Sequence, residues 1–328
     1  MISAQALTKN FEGIRALNGV SFEIEKGEIL GFLGPNGAGK TTTMRILTCY
    51  FPPTSGTAKV AGFDVMQQSL EVRRRVGYLP ENFPVYPEMP VNVYLDFVAA
   101  IKGLSGLERT SRIKAVLTDC GLEQVQERAL GKLSKGYRQR VGLAQAIISQ
   151  PPVLILDEPT VGLDPIQIVE IRNVIKRQAE RSTVILSTHI LQEVNALCNR
   201  VIIINKGSIV AVDTPDNLRM KLDTVNRVHI EVDGPADRVS EVLTRIAGVE
   251  KVEQVGTTAT GSIEYSVYVH KARDVRRDIS QAVVGAEMGL LSLHPMDMTL
   301  EEVYIQMVKD AASSTPAAVE PAATPIGG

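Results

Sequence analysis

The chain has 328 residues, 44% hydrophobic and 22% charged, which suffices for about two domains with their own cores and excludes wholesale disorder or a collagen-like repeat. Its 35 Lys and Arg nearly balance 37 Asp and Glu, for a formal net charge of -2, so no global positive field argues for nucleic-acid binding. No apolar run reaches the ~18–20 residues that span a bilayer, and the start MISAQALTKN lacks a basic flank followed by an apolar stretch. The expectation is a cytoplasmic protein unless a partner holds it at the membrane.

In chain order, the residues up to about Pro215 alternate short β-branched runs (ILGFLG, PVLILDE, TVILST, RVIIIN) with helical patterns. This is the signature of an α/β domain whose central strands are buried on both faces. After the helical DNLRMKL, the segment RVHIEV alternates Val228, Ile230 and Val232 with polar residues. A helix follows near Val239 to Ile246, then a strand from Ile263 to Val269, a helix near Val275 to Val283, and a last strand GLLSLH. That order approaches βαββαβ, a ferredoxin-like α+β domain. Helical TLEEVYIQMV carries Leu300, Val303, Tyr304 and Met307 on one face and is expected to pack on that sheet. Residues 311–328, AASSTPAAVEPAATPIGG, have too few large apolar groups to offset the entropy of ordering and read as a disordered tail. The expected division is therefore 1–222, 223–310 and 311–328. Cys49, Cys120 and Cys198 show no metal-ligand spacing with any of the 4 histidines and read as free thiols in a reducing compartment.

Gly34-Pro-Asn-Gly-Ala-Gly-Lys-Thr41 matches G-x-x-x-x-G-K-[ST] between the strand ILGFL and the helical TTTMRIL. Such a loop wraps the backbone N–H groups of Gly34, Asn36, Gly37, Ala38 and Gly39, with Thr42 just inside the helix, around a polyphosphate. The helix directs the positive end of its dipole at the same charge. Lys40 then reaches the β and γ phosphates, and the Thr41 hydroxyl ligates Mg²⁺. Val153-Leu-Ile-Leu-Asp157-Glu158-Pro159 is a buried strand ending in two carboxylates. Neighbouring strand residues face opposite ways, so one acid can support Mg²⁺ while the other orients and deprotonates water.

Leu133-Ser-Lys-Gly-Tyr137, about 20 residues before Asp157, resembles the signature loop of ABC-type ATPases. Over residues 2 to 216 the order of motifs is similar to that family's. Glu81 in GYLPE stands at the Q-loop, Asp157 and Glu158 at Walker B, Gly162-Leu163-Asp164 at the D-loop, Ser187-Thr188-His189 at the H-loop, and Phe11 where an aromatic stacks on adenine. The resemblance implies an α/β P-loop cassette with a helical subdomain. It implies a head-to-tail dimer, of two copies or of paired ABC subunits, binding each ATP between the P-loop of one subunit and Ser134 and Gly136 of the other. It further implies that Glu158 polarises water, His189 senses the γ-phosphate, Asp164 links the two sites, and Asp157, Thr41 and Glu81 surround Mg²⁺. Lys135, Tyr137 and Glu81 depart from the commoner Gly, Gln and Gln; an ionised Glu81 can ligate a cation but cannot donate a hydrogen bond. The single cassette with an α+β appendix resembles ABC-2-type exporter ATPases, including the gliding-motility-associated variety. Such ATPases are peripheral on the cytoplasmic membrane face through transmembrane permease subunits. The rival readings are a non-transport ABC ATPase acting on nucleic acid or the ribosome, and an inactive scaffold. The first usually carries a second cassette or a coiled-coil insertion, and the second would lack Glu158 or His189; no nucleic-acid partner is expected.

Overall fold

The computed structural model describes residues 1–83, 86–222, 225–258, 260–270, 274–296, 302–305 and 307. It divides into two compact units, the first running from Met1 to Pro215 and the second from Asp216.

The elements of the first unit are β1 (Ile2–Phe11), β2 (Ile14–Ile24), β3 (Ile29–Leu33), α1 (Lys40–Leu47), β4 (Ser55–Val60), β5 (Phe63–Asp64), α2 (Ser69–Arg75), β6 (Val76–Leu79), α3 (Val91–Ile101), α4 (Gly106–Asp119), α5 (Lys135–Ile147), β7 (Val153–Asp157), α6 (Pro165–Ala179), β8 (Thr183–Thr188), α7 (Leu191–Leu197), β9 (Arg200–Asn205) and β10 (Ser208–Asp213). Six strands form a sheet in the order β10-β9-β3-β8-β7-β6, parallel throughout except for β10. Every residue of β3, β7 and β8 is buried, as their unbroken apolar runs require of strands covered on both faces. A separate antiparallel sheet, β2-β1-β4-β5, accompanies it. The reading of the sequence did not foresee this sheet.

Two hydrophobic clusters fill this unit. One joins β3 and β7 to the helices α3, α4 and α5 through Leu95, Val98, Leu117, Leu143 and Leu154. The other packs the opposite side of the sheet with α1 and the antiparallel strands, through Leu7, Leu17, Phe32, Met44 and Ile155. Both are complete before Asp216.

The second unit contains the end of α8 (Pro215–Leu222), then β11 (Val225–Asp233), α9 (Ala236–Thr244), β12 (Val249–Thr257), β13 (Ile263–His270), α10 (Arg276–Gly285) and β14 (Gly289–Met296). Its strands form an antiparallel sheet in the order β12-β13-β11-β14, so the first and third strands are central. Val228, Ile230, Val232, Tyr265 and Val267 face α9 and α10 in a core of their own. Residues 302–305 are helical, with Val303 fully buried, and Glu302 pairs with Arg227 of β11 at 2.7 Å. Leu300 and the expected tail 311–328 lie outside the described residues. The division falls at Pro215, seven residues before the boundary read from the sequence, because α8 clusters with the second unit.

No helix among the described residues is long and apolar enough to cross a membrane.

Candidate nucleotide site

Three adjacent parallel strands end at one edge of the large sheet. The register aligns Leu33 of β3 with Thr188 of β8, and Ser187 of β8 with Asp157 of β7. The loops that follow are therefore neighbours: Gly34–Thr41 after β3, Asp157-Glu158 at the end of β7, and His189 just past β8. Ligand sites in open α/β sheets lie beyond the carboxyl ends of the strands for this reason.

The P-loop is held tightly at two glycines. A Cβ on Gly34 would stand 2.4 Å from the Ile204 carbonyl, and one on Gly39 would stand 2.8 Å from the Ala16 carbonyl. Gly39, at φ 107°, is the N-cap of α1 and brings no side chain to cap it, so the first amides of that helix remain available to an anion. The Thr43 hydroxyl donates back to the Gly39 carbonyl at 2.9 Å and anchors the turn.

Charge converges beneath this loop. Lys40 Nζ, 5% exposed, donates to the carbonyls of Gly34 at 2.8 Å and Pro35 at 3.3 Å, and lies 3.2 Å from Glu158 Oε1. The other oxygen of that carboxylate, Oε2, is 2.9 Å from Nδ1 of His189. Glu158 is 6% exposed and has a left-handed backbone, φ 50°; its N–H donates to the Ser187 carbonyl and hydroxyl, each at 3.1 Å. Asp157 is fully buried. Its Oδ1 accepts from the hydroxyls of Ser187 and, at 3.2 Å, Thr41, while Oδ2 has no hydrogen-bond partner among the described residues. Burial pushes the Asp157 carboxyl above its ordinary range, opposed by those two hydroxyls and reinforced by the charges of Glu158 and Glu81. A buried carboxylate oxygen without a partner, beside a threonine hydroxyl and near a second carboxylate, is a hard-oxygen set that suits Mg²⁺.

A cleft of about 530 Å³ opens over these groups, lined by Phe11, Asn36, Gly37, Gly39, Lys40, Thr41, Thr42, Glu81, Glu158 and His189, with Arg15 and Lys206 also at its wall. Its size lies within the range usual for small-molecule sites. Phe11 is 44% exposed, with its ring edge-to-face on Phe51 at 5.5 Å and the Lys9 ammonium 5.2 Å from its centre. It offers a free aromatic surface to a planar base. Gly34, Ala38 and Asp157 stand behind the lining. Motif reading missed Arg15 and Lys206, which reach the cleft from the strands β2 and the β9–β10 turn.

The structure does not bring Ser134, Gly136 and Asp164 into this cleft. Ser134 caps α5, accepting from the Tyr137 N–H at 3.4 Å, and Asp164 caps α6, accepting from the Gln167 N–H at 2.9 Å. The two caps are packed together. A Cβ on Gly136 would meet Gln167 Oε1 at 2.3 Å, and one on Gly162 would meet Lys135 Nζ at 2.1 Å. The signature loop thus rests on the D-loop of its own chain, outside the lining of the P-loop cleft.

Residues 17–161 match the ABC transporter family. The daunorubicin resistance ATP-binding protein DrrA2 of Streptomyces coeruleorubidus is 36% identical over 252 residues, covering 76% of this chain and 78% of that protein. The chain belongs to the family of ABC transporter ATP-binding proteins. This cassette is also similar to the probable multidrug ABC transporter ATP-binding protein YbhF of Escherichia coli (strain K12), at 36% identity over 220 residues. That match takes in 67% of the cassette chain and 38% of YbhF, so the chain spans well under half of that relative. Among solved structures, the dimeric post-hydrolysis state of the ATP-binding cassette MJ0796 with ADP and Pi superposes with a TM-score of 0.61 at 26% identity, over 65% of this chain and 98% of that one.

Proposed function

We propose that the chain is the Mg²⁺-dependent, ATP-hydrolysing subunit of an ABC-2-type exporter, working as a dimer on transmembrane permease subunits. The observation that carries this reading is the Glu158 carboxylate, held between the Lys40 ammonium and the His189 ring at the mouth of a P-loop.

The mechanism follows from the chain's own groups. With a triphosphate in the cleft, Lys40 exchanges the carbonyls of Gly34 and Pro35 for β- and γ-phosphate oxygens, and the amides at the start of α1 receive the rest of the charge. Phe11 stacks on adenine. Glu158, already buried and fixed on both oxygens, accepts the proton of the attacking water, and His189 holds that carboxylate and faces the γ-phosphate. Thr41 and Asp157, with Glu81 in support, would hold Mg²⁺, which would supply positive charge against that developing on the phosphates. Ser134 and Gly136 sit outside this cleft, so they serve the site of a second subunit. The dimeric state of MJ0796 and the resistance role in the name of DrrA2 support a paired cassette driving export.

The test is an ATPase assay of the purified chain with and without Mg²⁺, and with a membrane fraction, RNA or DNA added. Mg²⁺-dependent turnover that only membranes stimulate is expected. Stimulation by RNA or DNA alone would favour the nucleic-acid reading, and no turnover under any condition would end the hydrolytic one.

A further inference from the structure

A further carboxylate lies behind Glu158 and His189, and no motif accounts for it. Glu193 is on α7, fully buried. Its Oε1 accepts from the Thr160 hydroxyl, and its Oε2 accepts from the Thr188 hydroxyl at 2.7 Å. Thr188 Oγ1 in turn accepts from the Ile190 N–H at 3.0 Å, which ties it to the start of α7. Burial pushes the Glu193 carboxyl up; the neighbouring charges are Arg172 and His189, which oppose the shift, and Glu158, which adds to it.

The two hydroxyls belong to the two segments that carry the chemistry. Thr160 lies in the turn closed by the Val161 N–H on the Glu158 carbonyl at 3.3 Å, so it moves with Glu158. Thr188 is the last residue of β8 and immediately precedes His189. We infer that Glu193 is a positioning residue that braces the Glu158 turn against the β8–α7 junction and so sets the contact between Glu158 and His189. The inference rests on the hydrolytic reading above. A carboxylate bonded on each oxygen to a different catalytic segment fixes the distance between them. Displacements near 1 Å at a reacting group cost roughly a hundredfold in rate.

Glu193→Ala would open a cavity in the core, so the deciding variants are Thr160→Val, which keeps volume and removes one hydroxyl, Thr160→Ser, which restores it, and Glu193→Gln. In the full-length chain, Thr160→Val and Glu193→Gln should lower kcat for Mg-ATP about tenfold or more while KM moves less than about twofold, and Thr160→Ser should return within about twofold of wild type. Histidine ring NMR signals, with His189 assigned through His189→Gln, should show the His189 signal displaced in Thr160→Val and the signals of the other three histidines in place. The inference is overturned if Thr160→Val turns over normally, if kcat falls together with ATP affinity and thermal stability, or if Thr160→Ser is as impaired as Thr160→Val. Absence of turnover in the wild type would sink the hydrolytic reading alone. The His189 signal then decides for Glu193, with an undisplaced signal overturning its role.

Discussion

Lys40 and Glu158 form an ion pair at 3.2 Å with side chains only 5% and 6% exposed. The pair couples nucleotide binding to stability, because removing one member leaves the other charge buried without compensation, typically at a cost of about 3–5 kcal/mol. Lys40→Ala is therefore expected to lower the melting temperature as well as abolish ATP binding, and Lys40→Ala combined with Glu158→Gln should recover much of the lost stability and none of the binding. Calorimetry of the four members of this cycle checks it, and additive losses would show that the two residues are independent.

Glu158→Gln alone removes the base and also a negative charge beside the triphosphate. Hydrolysis should fall about 10²-fold or more. ATP affinity should rise, since Lys40 no longer divides its charge between a carboxylate and the phosphates. Near-normal turnover, or weaker ATP binding by titration, would exclude the role given to Glu158.

The separation of Ser134 and Gly136 from the cleft predicts that Glu158→Gln is mainly monomeric without nucleotide and dimeric with Mg-ATP, as measured by sedimentation. A mixture of Ser134→Arg and Lys40→Ala subunits sharpens the test, because the mixed dimer keeps one composite site intact and loads all the damage into the other. A monomer at saturating ATP would refute the composite site.

Thiol chemistry follows from burial. Desolvation pushes both Cys120 and Cys198 from 9.0 up to about 12, so at pH 8 only roughly one molecule in 10⁴ carries either thiolate. Cys120 is buried and should not react with a thiol reagent in the native chain, whereas Cys49 and Cys198 are each half-buried and open to it, Cys198 the slower of the two for want of thiolate. The proton is held more tightly in the folded state. The stabilisation is complete below pH 9 and is lost from there toward pH 12, by about 1.4 kcal/mol per pH unit for each thiol. Prompt release of three equivalents at pH 8 without denaturant would contradict the packing.

Both clusters of the first unit close before Asp216, and the second unit has a core of its own. A chain ending at Pro215 should therefore fold and retain measurable ATPase activity, with altered dimer stability or transport in cells. A folded truncation without hydrolysis would show that the second unit helps to build the site.

The residues proposed to hold phosphate were legible because each lies in a contiguous motif at the end of an apolar strand. What escaped was set by distant or irregular contacts. Glu193 reads as an ordinary surface residue of LQEVNAL, and only Thr160, 33 positions earlier in the chain, reveals why it is buried. β1 was missed because it departs from simple alternation: its register shifts between Ala4 and Leu7, around Ala6 at φ 50°. β12 was given no residues although the order βαββαβ asks for a strand there, since shifts after Val249 and Gln254 place its valines three residues apart where a regular strand would place them two apart.

The left-handed backbone of Glu158 sets local strain against a buried ion pair at a single position. Glycine or asparagine suits φ 50° better than glutamate does. The buried pair with Lys40 outweighs that strain, with about 3–5 kcal/mol in the pair against about 1–3 kcal/mol in the backbone. Selection for thermal tolerance alone would accordingly keep the carboxylate, so sturdier cassettes of this protein retain their base even where turnover is not selected.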